Sequence, residues 1–144
     1  MDIKPYLIFE GSCDEAIEFY KKALGAKVNM LMRFKDAPPQ ATSGGGGGGD
    51  CKPDPANAEK VMHAQFSVGD TVVMASDGDC KGDPKFGGFA LSITADNDAE
   101  AQRVFAAVGA GGKVIMPMTK TFFSSAFGMV HDKFGVMWMV MAGR

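Results

Sequence analysis

The chain carries one short segment twice. Ala23-Leu24-Gly25-Ala26-Lys27-Val28-Asn29-Met30 returns as Ala107-Val108-Gly109-Ala110-Gly111-Gly112-Lys113-Val114-Ile115-Met116. In both places a helical pattern stops at a glycine and an apolar strand begins with Lys-Val. A helix-to-strand junction used twice predicts two copies of one small unit. Each unit alone could cover only one face of its sheet, so the repeat limits the chain to folds in which paired modules share a core.

The order of elements repeats with it. Pro5–Phe9 is a short apolar strand, and Ser12 with Glu15 three residues on has the form of a capping box. Ala16, Ile17, Tyr20, Ala23 and Leu24 follow at helical spacing, Gly25 closes the helix, and Val28–Phe34 reads as a strand. Val61–Val68 alternates, with Met62, Ala64, Phe66 and Val68 on one face and His63, Gln65 and Ser67 on the other. Gly69-Asp70 then turns the chain into Thr71–Ser76, which makes a hairpin. The second unit gives a strand at Phe89–Thr94, a helix capped by Asn97 and ended by Gly109, then strands at Val114–Met118, Gly128–Val130 and Val136–Met141. The expected fold class is α+β, with paired β-α-β-β-β modules at about 1–80 and 86–144 within one domain spanning 1–144. Between about 35 and 57 the pattern dissolves into prolines and the run Gly44–Gly49, which predicts a flexible loop. Asp50-Cys51-Lys52-Pro53 follows that run, so the lysine and hydroxyl of a phosphate loop are missing.

Composition narrows the partners. A net charge of −2 gives no electrostatic reason for nucleic acid, and neither nucleic acid nor membrane is expected as a partner. The apolar run Tyr6–Phe9 is too short for export or spanning, so a cytoplasmic location is expected. Cys13, Cys51 and Cys80 are odd in number and contain no C-x-x-C, which predicts three reduced thiols.

The residues then resemble a family. The β-α-β-β-β repeat is similar to that of the vicinal oxygen chelate superfamily, which includes glyoxalase I, extradiol dioxygenases and antibiotic-resistance proteins. Pro5–Phe9, Ala16–Tyr20, Leu24–Ala26, His63-Ala64, Met74–Asp77, Thr121–Phe123 and Asp132–Trp138 resemble PhnB-like proteins within it. The resemblance implies a cupped mixed sheet of the glyoxalase/dihydroxybiphenyl dioxygenase-like fold, and a homodimer. Some PhnB-like proteins carry a demethylubiquinone methyltransferase label, but no glycine-rich strand-to-helix turn suited to a methyl donor occurs here.

Enzymes of the superfamily hold a divalent metal with His, Gln and Glu from the first and last strands of each unit. The matching positions here fall near Pro5 or Tyr6, Met74 or Ala75, Gly88 or Phe89, and Met139. None is His, Glu or Asp, and thioether is a poor donor for a hard or borderline cation, so no metal and no cofactor are expected. Asp77–Asp83 lacks the calcium-loop pattern, with Lys81 at a ligand position and Gly88 at the twelfth. Cys13 opens a helix but reads as a plain buried small residue, and His131-Asp132 reads as turn capping.

Aromatic and methionine residues cluster late in the chain, and Met137, Met139 and Met141 share one face of the last strand while Trp138 lies on the other. The expected ligand-binding residues are Tyr6, His63, Gln65, Met74, Phe89, Phe122, Phe123, Trp138 and Met139, lining an apolar cup for a small, partly planar molecule. The alternative is a metal-dependent lyase, isomerase or dioxygenase whose altered site includes His63. A third reading is a structural dimer without ligand.

Overall fold

A computed structural model describes residues 1–36, 57–78 and 80–143. Two units emerge, Met1–Lys85 and Phe86–Arg144. The first holds β1 (Tyr6–Ile8), α1 (Cys13–Leu24), β2 (Lys27–Arg33), β3 (Val61–Val68) and β4 (Thr71–Ser76). The second holds β5 (Leu91–Ala95), α2 (Asp98–Gly109), β6 (Lys113–Thr119), β7 (Phe127–His131) and β8 (Met137–Ala142). Each forms a mixed four-stranded sheet, ordered β1-β4-β3-β2 and β5-β8-β7-β6, with only the first pair of each parallel. The α+β fold class expected from the repeat is therefore present. Most of the glycine-rich loop lies outside the described residues; at its start Phe34–Asp36 forms one 3-10 turn.

One helix covers one face of each sheet. In the first unit Ala16, Ile17, Tyr20 and Ala23 of α1 are buried, at the spacing the sequence shows. Leu7, Ala64, Phe66, Val73 and Ala75, the residues of alternating parity on β1, β3 and β4, are buried with them. Tyr20 stacks on Phe66 at 5.7 Å between ring centroids. In the second unit Ala101, Val104 and Val108 of α2 cover Val130, Trp138, Val140 and Ala142. Gly128 leaves room for α2: a Cβ there would fall 2.7 Å from Phe105 Cε1.

The helix ends follow the sequence unequally. Gly25 sits in the left-handed region at φ 67°, and its N–H meets the Lys21 carbonyl, as expected of a glycine stop. Asn97 caps α2 by accepting from the Glu100 N–H at 2.8 Å. Ser12 does not form the expected cap, because its hydroxyl donates to the Phe9 carbonyl at 2.9 Å. The Cys13 N–H is taken instead by a distant carboxylate, that of Asp77, at 2.9 Å.

The expectation of three reduced thiols fails. Cys80 is disulfide-bonded, and Cys51 lies outside the described residues. Cys13 is a free, fully buried thiol. Its pKa is pushed far up, first by burial and then by the nearby charges of Asp77 and Asp14. It is an inert core residue, and its place at a helix start does not activate it.

Candidate functional site

The face of the first sheet turned away from α1 follows from register. The tight Gly69-Asp70 turn pairs Val68 with Thr71, which sets Gln65 opposite Met74. Parallel pairing of β1 sets Tyr6 beside Met74, and β2 sets Met30 beside Gln65. One row across the face is therefore Tyr6, Met74, Gln65 and Met30. By the same register His63 neighbours Met32, and Ile8 neighbours Ser76. Four of the expected ligand residues, Tyr6, His63, Gln65 and Met74, are thus brought together on one surface.

Their polar groups form a short relay. The Tyr6 hydroxyl lies 3.1 Å from His63 Nδ1, and Gln65 Nε2 lies 3.4 Å from His63 Nε2. Tyr6 also shares a hydrogen bond with Ser76, a fully buried hydroxyl on β4. The two rings are tilted at 36° with centroids 5.6 Å apart. Burial lowers the His63 pKa from its ordinary value, so its imidazole is neutral at pH 7. Burial also raises the Tyr6 pKa, against the lowering effect of the Ser76 hydrogen bond, so the phenol keeps its proton. A neutral imidazole offers one donor and one acceptor. With the Gln65 amide N–H donating to Nε2, Nδ1 carries the proton and donates to the phenol oxygen. The phenol hydrogen is then available to Ser76 or to a ligand. Turning the carboxamide over reverses the relay, so the cluster can present either a donor or an acceptor.

Asp77, next in chain to Ser76, holds this surface in place. Its Oδ1 accepts from the N–H groups of Gly11 at 2.8 Å and Cys13 at 2.9 Å, and Oδ2 accepts from Val61 at 2.7 Å. Its own N–H donates to the Val61 carbonyl. One buried carboxylate thereby ties the β1–α1 junction and the start of β3 to the end of β4. Asp132 does the same in the second unit, accepting from Phe134, Val136 and Trp138 Nε1 at 2.9, 3.0 and 2.9 Å. The turn-capping role expected near His131 thus falls to Asp132.

The second sheet presents a different surface. Its row matching Tyr6, Met74, Gln65 and Met30 is Ser92, Met139, Met129 and Met116. Thioethers stand where the first unit has its amide, and no polar relay forms. Trp138 must be removed from the expected ligand set: it is 4 % exposed, on the helix side of β8, with its indole N–H spent on Asp132. Alternation makes the reason plain, since Trp138 and Met139 are successive strand residues facing opposite sides. Phe89 precedes β5 instead of lying on it, and with Phe86, His131 and Met137 it lines a cavity of about 450 Å³ at the start of β8. Phe122 and Phe123 line another of about 260 Å³, beside Ala142 at the far end of β8. Phe122 is 97 % exposed and meets Phe123 edge-on at 5.1 Å. Within the second unit, then, Phe89 and the Phe122-Phe123 pair do not form one pocket.

The side chains of the first cluster do not suit a divalent metal. They offer one imidazole with both nitrogens engaged, a phenol, a carboxamide, a buried hydroxyl and thioethers. Among the described residues no three His, Cys, Asp or Glu side chains stand close enough to share an ion. Sequence reasoning missed Ser76, Met30 and Asp77. The hairpin turn carried the signal for Ser76, because counting back from Gly69-Asp70 sets it across from His63.

Residues 2–140 match the family model of the glyoxalase/bleomycin resistance protein/dioxygenase superfamily. Protein YjdN of Escherichia coli strain K12 is 34% identical over 140 residues, covering 97% of this chain and 94% of YjdN. Protein PA1353 from Pseudomonas aeruginosa superposes with a TM-score of 0.81 at 36% identity, covering 99% of this chain and 97% of its own. The PhnB protein from Bacillus cereus gives a TM-score of 0.76 at 25% identity, covering 99% of this chain and all of its own. Among the described residues no helix is long and apolar enough to cross a membrane.

Proposed function

Since the chain belongs to the glyoxalase/bleomycin resistance protein/dioxygenase superfamily, with PhnB-like relatives, we propose that it binds a small, partly apolar molecule without a metal, as a homodimer. The observation that carries this reading is the Tyr6–His63–Gln65 relay set among Met30, Met32 and Met74. An apolar surface with a few convergent polar groups is the usual make-up of a small-molecule site. The relay anchors a hydroxyl, carbonyl or amide, and the thioethers adapt to the remainder of the ligand. The metal-dependent alternative built on His63 is disfavoured by its engaged ring nitrogens and by the lack, among the described residues, of three His, Cys, Asp or Glu side chains close enough to share an ion. A cytoplasmic setting keeps thiols reduced, and the Cys80 disulfide weighs against it.

The test is a thermal-shift screen of small planar and partly apolar compounds, with metal content and light scattering measured on the same sample. Metal-free dimeric protein should be stabilised by at least one compound, by about 2.7 kcal/mol at a hundredfold excess over Kd. Tyr6→Phe and His63→Ala should each weaken that effect. One tightly held divalent ion per chain, lost in His63→Ala, would overturn the reading.

A further inference from the structure

We propose that the second unit carries a binding site for a planar aromatic acid, in the cavity of about 450 Å³ between the Phe86–Phe89 segment and the start of β8. The volume is that of a small-molecule pocket. Phe86 and Phe89 meet edge to face at 6.4 Å and 77°, which forms an aromatic corner, and Phe89 remains 43 % exposed. A flat ring slotted into that corner gains the edge-to-face geometry that aromatic groups prefer. Met137 adds a deformable wall.

The polar group here is His131. It lines the cavity and is half-buried, yet neither ring nitrogen finds a hydrogen-bond partner among the described residues. Its ring nitrogens are not sealed from solvent, so a ligand oxygen can take the place of water on them. The surrounding charge favours an acid. Lys113 is the cross-strand neighbour of His131 and shares its face. Asp132, adjacent in chain, has its carboxylate turned inward onto Phe134, Val136 and Trp138. The Lys133 ammonium lies over the Phe134 ring at 5.3 Å. This site shares no residue with the Tyr6–His63 relay.

Calorimetric titration of the full chain with 2-naphthoate and with neutral 2-naphthamide tests the proposal. Naphthoate should bind saturably, and naphthamide at least tenfold more weakly. His131→Ala and Phe89→Ala should each reduce naphthoate affinity about tenfold, while Asp70→Ala at the exposed β3–β4 turn leaves it unchanged. Phe89 lies outside regular structure, so its variant gives an answer even if the His131 variant misfolds. Absence of saturable naphthoate binding by the wild-type chain would overturn the site. So would equal binding by the wild type and a folded Phe89→Ala.

Discussion

Replacing Asp77 by asparagine probes the clamp beneath the candidate site. The carboxylate accepts three backbone N–H groups, two on Oδ1 and one on Oδ2. An asparagine can keep Oδ1 facing Gly11 and Cys13, but as a neutral acceptor it makes roughly half as strong a bond to each. Its NH₂ group then confronts the Val61 N–H, donor against donor, in a fully buried place. Losing that bond and leaving the donor unsatisfied costs about 1–3 kcal/mol, and the weakening of the other two adds about 1–2 kcal/mol. A total near 3 kcal/mol is a large part of the 5–15 kcal/mol typical of a folded domain. For a chain of this length it corresponds to a fall in Tm of roughly 10 °C. Thermal unfolding followed by far-ultraviolet circular dichroism measures it, with Asp70→Asn at the exposed hairpin turn as a control expected within ~0.5 kcal/mol. If Asp77→Asn melts within about 2 °C of wild type, the carboxylate is not the clamp, and the register that assembles Tyr6, His63 and Gln65 has another cause.

Two further outcomes follow from burial. Because the folded-state pKa of His63 lies below its unfolded value near 6.5, the unfolded chain binds the proton more readily. The contribution from neutral His63 is therefore present above pH 6.5 and lost as pH falls below it. Urea unfolding at pH 7.5 and 5.5 should show a larger loss for wild type than for His63→Gln; equal losses would refute it. Cys13, buried and with a raised pKa, should resist iodoacetamide in native protein at pH 8 and react fully in denaturant, as read by peptide mass spectrometry; rapid native labelling would contradict its placement.

Local signals in this chain located elements well and side-chain companionship less well. The hairpin β3–β4 was legible to the residue because alternation and a two-residue glycine turn act over short range. The helices were legible from spacing, and Asn97 capped as its position suggested. Ser12 has the same sequence pattern and does not cap: its hydroxyl donates to the Phe9 carbonyl, and the first N–H of the helix, that of Cys13, goes to Asp77, 64 residues away in sequence. No local pattern reports an acceptor so distant. Trp138 shows the opposite failure. Its alternation from Met139 was visible in sequence, yet an aromatic residue beside methionines reads as pocket lining until the indole N–H is seen to be spent on Asp132.

The two units therefore repeat more than their helix-to-strand junctions. Each has a buried aspartate accepting three N–H groups at a strand end, but the partners differ: three distant backbone amides for Asp77, and two turn amides with one indole for Asp132. The device is retained while the sequence around it is not, because what each site needs is an acceptor with two oxygens in a place water does not reach. The faces turned away from the helices carry no such common requirement. Their matched rows differ, with Tyr6 and Gln65 in one and Ser92 and Met129 in the other. Duplication thus supplied two similar scaffolds, and a neutral hydrogen-bonding relay stands on the first face alone. The physical case for ligand recognition at Tyr6, His63 and Gln65 rests on that asymmetry, since packing against a helix explains the covered faces and leaves these polar side chains unaccounted for.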